Sequence, residues 1–62
     1  METTVTFADL GTSSDGFLVL RRVEDAIALG FGIAANGDLD LLLTAADARR
    51  LAEAILATVD SA

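Results

Sequence analysis

Between Ala26 and Thr44 two apolar runs flank Ala34-Ala35-Asn36-Gly37, and this stretch restricts the fold more than any other. In the first run Ile27, Leu29, Phe31 and Ile33 alternate with Ala28, Gly30, Gly32 and Ala34. A period of two puts all the large side chains on one face of a strand. An Asn-Gly pair between two such runs signals a hairpin. A two-residue loop at Asn36-Gly37 would set Ala34 opposite Leu39 and Ile33 opposite Asp40, mixing acids into the large apolar face. A three-residue loop, with a type I turn over Ala35 and Asn36 and Gly37 left-handed in a G1 bulge, instead sets Ile33 opposite Leu39, Phe31 opposite Leu41 and Leu29 opposite Leu43. This second register is the one expected, because directly opposed residues share a face. The other face then carries Ala28, Gly30, Gly32 and Ala34 beside Asp38, Asp40 and Leu42, and is flat, small and acidic.

Upstream, Thr4 to Leu10 alternates as a first strand, with Val5 and Phe7 on one face and Thr4, Thr6 and Ala8 on the other. Gly11-Thr12-Ser13-Ser14-Asp15-Gly16 gathers turn formers and reads as a connecting loop. A phosphate-cradling loop is the competing reading, but no helix follows and no Lys accompanies it. Phe17 to Val23 reads as a second strand reversing at Glu24-Asp25. A two-residue turn there puts Leu18 opposite Phe31 and Leu20 opposite Leu29, and sends Phe17 and Val19 to the small-residue face beside Gly32 and Gly30. That turn lacks the Gly or Asn that a primed turn prefers, and a longer loop would exchange the two faces. The spacing of Leu20, Val23 and Ile27 also admits a helix, against which stand the β-branched residues and the glycines that follow.

The last segment is predicted to be helical. Thr44 is a good N-cap, and Asp47 stands at N3, where it approximates a capping box and meets the positive end of the helix dipole. Arg49 with Glu53, and Asp47 with Arg50, are spaced for surface ion pairs. Ala48, Leu51, Ala52, Ile55, Leu56 and Val59 form the apolar stripe, expected to lie on the large-residue face of the sheet. The fold class that follows is α+β: an antiparallel β-meander of three to four strands, then one C-terminal α-helix packed on one sheet face (β-β-β-β-α). Residues 1–62 are expected to form a single small domain.

Asp38-Leu39-Asp40-Leu41-Leu42-Leu43-Thr44, followed by Ala48-Arg49-Arg50-Leu51-Ala52-Glu53-Ala54-Ile55-Leu56, resembles a recurring ending of small uncharacterised actinobacterial and actinophage proteins. In those proteins an acidic hairpin leads through a Leu-Thr step into an Ala-Arg-x-Leu-Ala helix. The resemblance covers about the last third of the chain and implies the order strand then helix; it implies no activity and no site.

The side-chain inventory narrows the chemistry. His, Cys, Lys, Tyr and Trp are all absent, which leaves carboxylates, hydroxyls and four Arg and removes the commonest acid–base and nucleophilic pairs. No enzyme, no cofactor, no disulfide and no usual structural zinc site is expected. Asp38 and Asp40 share a face, yet an EF-hand type calcium site needs more oxygen ligands at fixed spacing. Glu24 and Asp25 sit at the far end of the third strand and would reach such a site only from another subunit. Arg21 and Arg22 are adjacent on a strand and point to opposite faces, which spoils them as one anion clamp. A formal charge of −6 argues against direct binding of nucleic acid or of an anionic membrane. The N-terminus lacks the pattern of a signal peptide, and no apolar run approaches the roughly 18 residues of a membrane span, so a cytoplasmic location is expected.

Size then bears on partners. Four strands make a sheet about 20 Å wide, whereas one helix covers a band of roughly 10 Å. Leu18, Leu20, Ile27, Leu29, Phe31, Ile33, Leu39, Leu41 and Leu43 are too many large side chains to hide under a stripe half of which is no bigger than Val. Soluble monomers seldom leave such a patch open. A homodimer or higher homo-oligomer is therefore expected, in which a second copy completes the core. The expected role is a small oligomeric interaction or accessory module. Its candidate surface toward a further protein partner is Ala28, Gly30, Gly32, Ala34, Asp38 and Asp40. An acidic DNA-mimic inhibitor of a nucleic-acid-binding protein is the alternative, and an enzyme or ligand carrier using a carboxylate cluster assembled across subunits is the third possibility.

Overall fold

The computed structural model describes residues 1–61. Four strands, β1 (Glu2–Asp9), β2 (Ser14–Val23), β3 (Ala26–Ile33) and β4 (Gly37–Thr44), form one sheet in the order β1-β2-β3-β4, and the helix α1 (Ala45–Asp60) follows without a linker. Every neighbouring pair is antiparallel, so the chain is the meander-plus-helix that its alternation predicts.

The β2–β3 register is the one that pattern matching requires. Leu18 faces Phe31 and Leu20 faces Leu29, while Phe17 and Val19 stand opposite Gly32 and Gly30. The reversal is the two-residue loop Glu24-Asp25, with Glu24 taking the left-handed conformation at φ +56°. The β3–β4 register differs from the expected one by two residues. Ile33 faces Gly37, Phe31 faces Leu39, Leu29 faces Leu41 and Ile27 faces Leu43. The turn lies over Ala34 and Ala35, closed by the Asn36 N–H donating to the Ile33 carbonyl at 3.0 Å, and Gly37 is left-handed at φ +85° as the first residue of β4. A shift of two preserves every face. It also pairs β3 along its whole length down to Ala26 opposite Thr44, where the expected register would leave Ala26 and Ile27 facing the start of the helix.

A second correction concerns the glycine-rich loop. Only Leu10–Ser13 turn; Ser14, Asp15 and Gly16 belong to β2, paired with Asp9, Ala8 and Phe7. Gly16 serves packing rather than the turn. It is buried, and a Cβ there would sit 2.6 Å from ring atoms of Phe7, whose side chain lies across it. The turn itself is closed by Asp9, whose carboxylate accepts from the Thr12 hydroxyl at 2.6 Å and from the Gly11 N–H at 3.2 Å.

The large-residue face carries Val5 and Phe7 of β1, Leu18 and Leu20 of β2, the four alternate residues of β3, and Leu39, Leu41 and Leu43 of β4. α1 lies on this side, with Asp47, Arg50, Leu51 and Ala54 bordering a hollow shared with Leu41 and Leu43. Thr44 is its N-cap, its hydroxyl accepting from the Asp47 N–H at 3.1 Å. The Asp47 carboxylate takes Arg50 Nη1 at 3.2 Å; among the described residues this is the only ion pair, and the expected pairing of Arg49 with Glu53 does not form.

The helix does not close over the sheet. Of the expected buried stripe only Ala48 is half-buried; Leu51, Ile55, Leu56 and Val59 are 40, 56, 62 and 73% exposed, rising toward the C-terminus as α1 draws away from β4. Its main neighbours are β4 and β3, which leaves most of the β1–β2 half of the large-residue face without a lid. Among the described residues Leu29, at 7% exposure, is the one large apolar side chain that is buried.

Candidate interaction surface

The face opposite the helix is built from β3 upward. Ala28, Gly30 and Gly32 alternate with the large residues and so form its floor, flanked by Phe17, Val19 and Arg21 from β2 and by Asp38, Asp40 and Leu42 from β4. A floor without side chains lying between two rows that have them is a groove. It divides into two hollows. One, about 460 Å³, has Ala28, Gly30, Asp40 and Leu42 among its lining; the other, about 750 Å³, has Gly32, Ala34, Asp38 and Asp15. The ring of Phe17 borders both.

All six residues predicted for this surface therefore line one groove, though not all as strand residues. Ala34 lies in the turn just beyond β3, where its N–H donates to the Asp15 carbonyl at 3.3 Å. The two-residue shift in register sets Asp40 opposite Gly30 and Asp38 opposite Gly32. Each carboxylate leans over its glycine: a Cβ on Gly30 would stand 3.2 Å from an Asp40 oxygen, and one on Gly32 would stand 3.0 Å from an Asp38 oxygen. Gly32 is further covered by the Phe17 ring, so it is buried in spite of facing outward.

Electrostatically the groove is one-sided. Glu2, Asp15, Asp38 and Asp40 are on this face and Arg21 is its only strand cation, with no ion pair formed there among the described residues. Asp38 and Asp40 gather no third ligand: among the described residues no group of three or more carboxylates, thiols or imidazoles comes together. Glu24 and Asp25 stand at the opposite end of the sheet, bordering a separate hollow with Leu42, Leu43 and Thr44. The glycines are thus closed off by the Asp38, Asp40 and Phe17 side chains, and what the groove presents outward is its carboxylate row and the Phe17 ring.

Sequence reasoning had no means of finding the part played by Phe17 in dividing the groove, although its placement opposite Gly32 was legible from the alternation. Among known proteins, the chain matches no family model, no curated protein and no solved structure. No helix among the described residues is long and apolar enough to cross a membrane.

Proposed function

We propose that this protein is a small homo-oligomeric interaction module without catalytic activity, in which the large-residue face joins copies and the glycine-floored acidic groove faces outward toward a protein partner. One observation carries this reading: the accessible surface is 4935 Å², against about 3,800 Å² for a compact monomer of this mass. The radius of gyration, 12.7 Å, likewise exceeds the value of about 10.6 Å for a compact chain of this length. The surplus, about 1,100 Å² per copy, is of the size that one partner contributes to a standard interface, roughly 800 Å². A non-catalytic role is supported by a side-chain inventory that lacks His, Cys, Lys and Tyr.

Mass measured by light scattering at micromolar concentration tests the core of this proposal. A dimer or a higher symmetric oligomer is expected, and a compact, thermally robust species of 6.4 kDa would overturn it. The unpaired carboxylate row on the groove favours a second reading, an acidic decoy for a nucleic-acid-binding protein. A captured partner separates the two readings. A decoy is displaced from its target by DNA, whereas an interaction module bound to a partner's other surface is not.

A further inference from the structure

We propose that the C-terminal half of α1 packs on the large-residue face of a second copy, so that Ile55, Leu56 and Val59 of each chain cover the β1–β2 half of the other chain's sheet in a two-fold dimer. This rests on the oligomeric reading above and deepens it by naming which segment meets which surface.

Two incomplete surfaces on one chain carry the inference. The first is the helix stripe, whose exposure climbs from Leu51 to Val59 as the helix leaves its own sheet. The second is the sheet surface around Val5, Phe7 and Leu18, which lies on the same side as the helix but away from its main neighbours, β4 and β3. A two-fold axis applies the same contact twice. Each helix is about 24 Å long, while the span from β4 to β1 is about 14 Å, so a helix anchored on its own β4 is long enough to cover a facing sheet. The surplus of about 1,100 Å² per copy is of the same order as the roughly 800 Å² that one partner gives to a standard interface. The free edges of β1 and β4 are the competing contact, but edge pairing would add strands and leave both incomplete surfaces as they are.

The chain has no Cys, so engineered thiols report the contact without background. Chains carrying Val59→Cys are mixed and reannealed with tagged chains carrying Val5→Cys or, as a control on the opposite face, Leu42→Cys, and then oxidised. Both Val positions and Leu42 are substantially exposed within one copy, so none of the three changes empties a core. The expected result is a disulfide-linked heterodimer with the Val5→Cys chain and at least tenfold less with the Leu42→Cys chain. Dimeric mass with no link to Val5→Cys, or equal linkage to both, overturns the helix seat while leaving the oligomer standing. Monomeric mass overturns both.

Discussion

Glu24 holds a left-handed backbone at φ +56° in the β2–β3 loop, a conformation that costs a residue with a Cβ about 1–2 kcal/mol. Replacing it with Gly removes that cost. Glu24→Gly is expected to stabilise the fold by about 1 kcal/mol, and in a domain this small that raises the melting temperature by about 4–8 °C. Unchanged or lower melting in a differential scanning experiment would show that the strain is offset by contacts of the glutamate. The groove glycines offer a paired contrast. Gly30 and Gly32 are both strand residues with ordinary φ, but a Cβ on Gly32 collides with the Phe17 ring, whereas one on Gly30 meets only the end of the Asp40 side chain. Gly32→Ala is expected to cost about 1–3 kcal/mol by displacing the ring. Gly30→Ala is expected to gain about 0.5 kcal/mol, as Ala normally does over Gly within a strand. Chemical denaturation of the two variants checks the order; equal effects would mean that the ring does not depend on its glycine.

How far each element was legible depends on which pattern specifies it. The β2–β3 register was legible because bulky residues alternate with glycines across the pair, and only one register puts Phe17 and Val19 over Gly32 and Gly30. The β3–β4 register was not, because a period of two is unchanged by a slip of two, and Ala34-Ala35-Asn36-Gly37 admits a type I turn at two places. Pairing length decided it. The β1–β2 turn was drawn too long because Gly16 counts as a turn former until the ring of Phe7 is seen across it. The helix stripe was legible as apolar, but amphipathicity does not say which surface covers it. The β1–β2 turn also carries a pH dependence. Hydrogen bonds from the Thr12 hydroxyl and the Gly11 N–H hold the Asp9 carboxyl below the ordinary carboxylate range. A lowered value in the folded state means that the contribution is full above the unfolded pKa and is lost as pH falls through the folded one. Asp9→Ala should therefore melt below the parent at neutral pH, and the gap should close as acidification passes below the ordinary carboxylate range. A gap that persists in acid would assign the loss to something other than the ionised carboxylate.

Leu41 and Leu42 are neighbours in β4 on opposite faces, and the assembly as a whole distinguishes them. Leu41, on the edge strand, lies opposite Leu29 on the large-residue face and borders the helix, while Leu42 lies opposite Ala28 on the groove side and is the more exposed of the two. If copies share one core through the large-residue face, a charge at Leu41 enters the joint interior of both, and burying an unpaired carboxylate there costs more than a small domain can spare. Leu41→Asp, like Phe31→Asp, is expected to abolish assembly and folding together, while Leu42→Asp keeps the parental mass and circular dichroism. Linked folding and association also make the melting temperature depend on concentration. For a dimer of this chain length, a tenfold dilution lowers it by about 5 °C. Melting that is independent of concentration, or a folded monomeric Leu41→Asp variant, would mean that one sheet and one loosely seated helix stand alone with a single buried leucine. A 16 Å-thick molecule has little interior from which to draw that stability.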